Sequence, residues 1–126
     1  MAEESIHIDT VYFGNPICDM TIDDTADNAI MKKYELQKGM ATLATPEQIP
    51  MYAEIWANPA RVSTLGGSAL NSVRAQRYAA RQNNTETKLV YFGCIGQDEQ
   101  GKVIVDKLNE VGIEGKFAVT DQDMTG

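Results

Sequence analysis

The stretch Thr64-Leu65-Gly66-Gly67-Ser68-Ala69-Leu70-Asn71-Ser72 joins an extended apolar run to a helix through two adjacent glycines. That junction restricts the fold more than any other feature of the chain. Paired glycines let the backbone take positive φ and let another group approach where a Cβ would stand. Ser68 is placed to cap the helix that follows, and Asn71, one turn in, offers both a donor and an acceptor. With no Lys or Arg in the loop, the result is a neutral polar cup. It suits a ligand rich in hydroxyls and ring nitrogens better than a bare phosphate.

Composition excludes several function classes. At 126 residues the chain is long enough for one core, and no stretch nears the roughly 20 apolar residues of a membrane span. An acidic start, Glu3 and Glu4, is unlike a secretory signal, so the expected location is the cytoplasm, with the nucleus as the alternative. Eighteen acids against 11 bases give a net charge of −7, which opposes binding to nucleic acid and to anionic membrane. Cys18 and Cys94 form no metal-binding spacing and read as two buried thiols. Asp19, Asp23, Asp24 and Asp27 resemble a calcium loop, but an EF-hand begun at Asp19 needs Gly at position 24 and Glu at position 30, where Asp24 and Ile30 stand. No metal site is expected, and His7, without a second ligand nearby, is given no role.

Along the chain, Ile6 to Gly14 reads as a strand stopped by Gly14-Asn15-Pro16, and Ile17 to Ile22 as an extended piece with Asp19 on the face opposite Cys18. Asp24 or Thr25 caps a short helix reaching Tyr34. Thr45-Pro46-Glu47-Gln48 forms a capping box, and regular helix from Pro50 carries Tyr52, Ile55 and Trp56 toward a core. The helix Ser68 to Gln82 offers Ala69, Ser72, Val73, Gln76, Ala79 and Ala80 as a small packing face, with Arg74, Arg77 and Arg81 as a solvated stripe. Lys88 to Gly96 is apolar without alternation, the pattern of a strand buried on both faces. Asp98 caps a helix that ends at Gly112-Ile113 in a Schellman motif, and Lys116 to Thr120 is extended. Strand and helix in this alternation give an α/β fold with a parallel sheet.

Three segments in this order, Gly14-Asn15-Pro16-Ile17-Cys18-Asp19, Gly66-Gly67-Ser68-Ala69-Leu70-Asn71-Ser72 and Tyr91-Phe92-Gly93-Cys94-Ile95-Gly96-Gln97-Asp98-Glu99-Gln100-Gly101, resemble motifs of the adenosine kinases. That family lies within the ribokinase-like (PfkB) carbohydrate kinases, and the resemblance runs from Tyr12 to Gly126. It implies a parallel-sheet core with a small β-rich lid, of which this chain is the incomplete, amino-terminal third. Residues 1–16 and 66–115 then belong to the large nucleoside kinase domain, and 17–65 and 116–126 to the lid. A related sugar or nucleoside kinase, or a noncatalytic nucleoside-binding fragment, is the alternative.

The resemblance also implies roles. Asp19 and Asn71 match the residues that hold the ribose hydroxyls, together with backbone of Gly66 and Gly67. Asn15 matches a position at the nucleoside, Ser68 one at the purine edge, and Ile17 and Leu43 apolar positions over the base. Where many relatives have Gln, Ala41 stands here, so one contact is missing or replaced. The implied reaction uses ATP and Mg²⁺ to phosphorylate adenosine, a purine-salvage step, in an enzyme expected to be monomeric when complete. The family's catalytic Asp sits in a Gly-Ala-Gly-Asp loop that does not occur in this sequence, and there is no Walker-type loop either. The chain alone is therefore expected to be inactive, whether a truncation, a gene-model fragment or half of a split protein.

Overall fold

The computed structural model describes residues 7–122 and 124–126. It divides into two compact units, one of the described residues up to Asp19 together with Thr64–Gly126, the other Met20–Ser63. The first unit is built on a parallel sheet in the order β1 (Thr10–Phe13), β4 (Leu89–Gly96), β5 (Glu114–Thr120). β2 (Ile17–Thr21) and β3 (Val62–Gly66) pair with each other and carry the chain out of this unit and back. The helices α3 (Ser68–Gln82) and α4 (Glu99–Glu110) supply the crossovers. Both crossovers step across the sheet in the same direction, and right-handed connection then puts both helices on one face.

That face holds the core. Leu89, Tyr91 and Ile95 of β4 are buried there with Leu70, Val73 and Ala80 of α3 and Ile104 and Leu108 of α4. Tyr12 donates its hydroxyl to Gln76 Oε1 at 2.7 Å and Gln76 Nε2 donates to Thr10 Oγ1 at 3.0 Å, tying α3 to β1. The packing face of α3 keeps Val73, Gln76 and Ala80 of the face expected and adds Leu70, whereas Ser72 and Ala79 are exposed. The arginines are not merely solvated. Arg77 donates to the Thr87 and Gly112 carbonyls and Arg81 to the Val111 carbonyl, so the stripe fastens α3 to the loops beside it.

The opposite face is open. Pairing in register puts Val11, Phe13, Val90, Phe92, Cys94 and Ala118 on one side, and all but Val90 are exposed. Phe13 and Phe92 stack with centroids 5.0 Å apart, covering each other in part. The strand β4 is thus buried on both faces at Leu89, Val90 and Tyr91 and again at Ile95 and Gly96, but open at Phe92 and Cys94, so that Cys94 is exposed where burial was expected. β1 is also shorter than expected: the start at Ile6 lies outside the described residues, and His7 to Asp9 precede the strand because β4, its partner among the described residues, begins at Leu89. The Schellman ending forms as read, with Gly112 at φ 73°, Gly112 N donating to Asn109 O and Ile113 N to Leu108 O.

The second unit contains α1 (Ala29–Lys33), a 3₁₀ turn at Pro46–Gln48 and α2 (Pro50–Ala57). The capping box at Thr45 and Gln48 is present. Asp24 takes the Ile30 and Met31 amides from four or more residues before α1, while Asn28, at φ 53°, occupies the cap position itself. α2 buries none of its residues, so Tyr52, Ile55 and Trp56 do not form a core. Instead the Arg61 guanidinium lies 3.8 Å over the Trp56 ring, and Glu54 accepts from Lys33 Nζ at 2.6 Å and the Tyr34 hydroxyl at 2.8 Å. No described helix is long and apolar enough to cross a membrane.

Two outcomes follow from the packing. Cys94 should react readily with a thiol reagent in the folded protein while Cys18, 5% exposed, reacts slowly, which mass spectrometry of partially modified protein would resolve. The Tyr91 hydroxyl is buried with no hydrogen-bond partner among the described residues. Tyr91→Phe should therefore stabilise the chain by about 1 kcal/mol, read as a higher urea midpoint at constant slope.

Candidate functional site

The chain reverses or turns at the carboxyl ends of β1, β3 and β4, where ligands of open α/β sheets bind. After β1, Gly14 donates its amide to Phe92 O, and a Cβ on Gly14 would stand 2.6 Å from Ala69 Cβ. The Asn15-Pro16 segment therefore passes directly over the first turn of α3. At Gly67, φ is 97°, a conformation that disfavours side chains, and a Cβ there would meet the Asn15 carbonyl at 2.5 Å. A Cβ on Gly66 would overlap the Asp19 carboxylate. Both glycines are thus required by what lies against them.

Seven of the eight residues singled out from sequence fall within the first unit: Asn15, Ile17, Asp19, Gly66, Gly67, Ser68 and Asn71. In β2 the exposed side carries Ile17 and Asp19, with Cys18 turned inward. Asp19 therefore presents a carboxylate to solvent beside Gly66. The N-cap of α3 is Gly67 and not Ser68; no side chain caps the helix. Ser68 is the first helical residue, exposed, and its carbonyl accepts from Ser72 Oγ. A side-chain-free cap leaves first-turn amides facing outward. Asn71 is exposed, and its Oδ1 accepts from Arg74 Nη1 at 3.3 Å while the same guanidinium donates to Leu65 O at 2.9 Å. Arg74 thereby orients Asn71, a role the sequence reading did not assign; a cation three residues on is the signal for it. Leu43 lies in the second unit, 96% exposed, in an open cleft with Met31, Leu36 and Met40. Ala41 lines that same cleft.

At the end of β4 the cap read from sequence is present, but its second partner was missed. Asp98 caps α4, accepting from Gly101 N at 2.7 Å, and also accepts from Thr125 N at 2.7 Å and Thr125 Oγ1 at 2.6 Å. Burial pushes the Asp98 carboxyl up, but these hydrogen bonds outweigh it and hold the group below its ordinary value. Another cleft opens at the far end of the sheet, lined by His7, Asp9, Arg77, Lys88 and Glu114. Its charges answer one another: Asp9 accepts from Lys88 N at 2.6 Å and contacts His7 Nε2 at 3.0 Å, which lowers its pKa, and Lys88 Nζ is 3.8 Å from Glu114. Among the described residues no group of three or more His, Cys, Asp or Glu could hold a metal ion.

No family model matches the chain. The adenosine kinase of Schizosaccharomyces pombe is 31% identical over 118 residues, 92% of this chain and 32% of that protein. Among solved structures, the adenosine kinase of Schistosoma mansoni in complex with adenosine and AMP superposes with a TM-score of 0.70 at 29% identity, over 91% of this chain and 33% of that one. The apo adenosine kinase of Trypanosoma brucei brucei superposes with a TM-score of 0.79 at 27% identity, over 95% and 36%. The chain spans about a third of the length of the relatives it matches. It has a partial ribokinase-like fold, and what it is similar to, in sequence and in structure, is one third of an adenosine kinase.

Proposed function

We propose that the chain is the nucleoside-recognising part of an adenosine kinase, an enzyme that transfers the γ-phosphoryl group of ATP to the 5′-hydroxyl of adenosine, giving AMP and ADP. The observation that carries this reading is the exposed Asp19 carboxylate set against Gly66, on the same unit as the uncapped start of α3 and Asn71. A carboxylate accepts from two hydroxyls, the demand of a ribose diol, and an amide side chain supplies a donor and an acceptor beside it. The glycines let the Asp19 carboxylate and the Asn15 carbonyl lie close against the start of α3. In this reading Asn15 and Ser68 meet the nucleoside, and Ile17 covers the base. A sugar kinase of the same fold would share the glycines; the Gly-Asn-Pro-Ile-Cys-Asp opening favours the nucleoside.

Phosphoryl transfer asks a protein for alignment, charge neutralisation and a base for the attacking hydroxyl. This chain's residues fit the first demand only. They include no phosphate-binding lysine loop and no acidic cluster for Mg²⁺ among the described residues, so no step through ATP or the metal is derived from them. ATP, Mg²⁺ and the base belong in this reading to polypeptide outside the chain, in a complete enzyme that is cytoplasmic and monomeric, with no nucleic-acid or membrane partner. The open sheet face supports that division, since Phe13, Phe92 and Ala118 are exposed on strands of core composition.

Two measurements test the proposal. Adenosine titration should give an affinity about tenfold weaker or worse for Asp19→Ala and for Asn71→Ala, with the melting temperature unchanged, because each loses a polar partner of the ribose. Equal affinities in both variants would remove these residues from the site. In a coupled assay for ADP, the chain alone with adenosine, ATP and Mg²⁺ should show no turnover. Addition of a separately made polypeptide bearing the Gly-Ala-Gly-Asp loop should restore it. Turnover by the chain alone would place the catalytic groups within it.

A further inference from the structure

The grip of Asp98 on Thr125 reaches further than a helix cap needs. Gly101 alone satisfies the cap, at 2.7 Å from Asp98 Oδ1. The remaining acceptor capacity goes to a residue 27 positions away: Thr125 N donates to Oδ2, Thr125 Oγ1 donates to Oδ1, and Thr125 Oγ1 accepts from Gly96 N at 2.9 Å. The glycine at position 101 makes the approach possible, since a Cβ there would stand 3.0 Å from Thr125 Oγ1 and 2.6 Å from the Gly96 carbonyl. Immediately after Thr125, the Gly126 carbonyl accepts from Cys18 N at 2.8 Å. Gly126 also lies beside Pro16 and Ile17, with a Cβ on it 3.5 Å from the Pro16 carbonyl and 3.8 Å from Ile17 Cγ1. The carboxylate at the end of β4 is thus linked, through two residues, to the strand that presents Ile17 and Asp19.

We propose that Asp98 is a positioning residue for the nucleoside site: by clasping Thr125 it fixes Gly126 against β2 and so sets the direction of Asp19. The proposal rests on the reading of Asp19 as a nucleoside contact. β2 is a five-residue strand with β3 as its strand partner, and a short two-stranded ribbon is marginal without further support. The Cys18 to Gly126 bond supplies such support on the free edge next to Asp19. Three charge-assisted or hydroxyl bonds to one carboxylate make the clasp stiff enough to transmit that register.

Substitutions can separate the clasp from the cap. Asn is as good an N-cap as Asp, so Asp98→Asn keeps the Gly101 bond, but its amide nitrogen then faces the Thr125 N–H, donor against donor. Thr125→Val removes the bridging hydroxyl without changing shape, and Thr125→Ser restores it. Amide hydrogen exchange of the whole 126-residue chain, followed by NMR, should show Cys18 exchanging about tenfold faster in Asp98→Asn and Thr125→Val, with Ile104 and Leu108 of α4 unchanged and Thr125→Ser near the unsubstituted chain. Adenosine affinity should fall about tenfold in the same two variants and recover in Thr125→Ser. Unchanged Cys18 exchange in both variants overturns the clasp. Faster exchange with unchanged adenosine affinity overturns its positioning role. An unsubstituted chain that binds no adenosine overturns the nucleoside reading instead, while the exchange data still decide the clasp. If α4 loses protection in Asp98→Asn, the Thr125 pair, which lies outside the helix, decides alone.

Discussion

Neither glycine of the pair has space for a Cβ, and the arrangement of the first unit depends on the contacts that fill that space. Gly67 rests on the Asn15 carbonyl and Gly66 on the Asp19 carboxylate. A side chain at either position would push the Asn15 to Asp19 segment off the start of α3. The geometry carries a cost, because a glycine N-cap gives α3 a few tenths of a kcal/mol less than Ser or Asn would. In exchange the helix begins with no side chain over its first-turn amides. The feature that weakens the helix locally is the one that makes its end available to a ligand.

A site of this kind needs its helix held firmly from elsewhere, and the far half of α3 shows how. Arg77 and Arg81 donate to Gly112 and Val111, carbonyls just past the last turn of α4, where helical carbonyls have no intrahelical partner and cations are favoured. Gln76 bridges Thr10 and Tyr12 of β1. The amino-terminal turn, by contrast, packs its Ala69 close against Gly14. Rigid polar fastening at one end and bare backbone at the other are what a preformed binding turn requires.

What the sequence made legible were features whose cause is local. The bounds of α3, the Schellman ending at Gly112, the capping box at Thr45 and the placement of Asp19 opposite Cys18 each depend on residues within a few positions of one another. Features with distant causes were read wrongly or not at all. The arginine stripe looks solvated until the end of α4 is brought beside it. Ser68 looks like a cap because its type suits one, yet the positive φ moves the cap back to Gly67. Asp98 is recognisable as an N-cap, but nothing near it in sequence announces Thr125. Tyr52 and Trp56 share the spacing of core residues, and only the structure shows that Trp56 meets Arg61 and that α2 buries nothing. For the site residues themselves, the residue types of the glycine loop supplied the neutral cup, and resemblance supplied the ribose.

The one large mismatch, at β4, has the opposite character: there the sequence asks for more burial than the structure provides. Leu89 to Gly96 lacks the polar alternation of a strand with one wet face. Yet on the side away from α3 and α4, Phe92 and Cys94 are exposed, as are Val11 and Phe13 beside them and Ala118 across the other edge. Apolar side chains exposed beside one another in this way, although Lys116 and Glu114 share the face, are not the usual finish of a monomer's surface. The Phe13 to Phe92 stack relieves it only in part, since Phe13 remains 72% exposed. Relatives three times as long have the polypeptide to cover such a face. The partly exposed strand therefore fits the proposed reading of the chain as one part of a larger kinase fold.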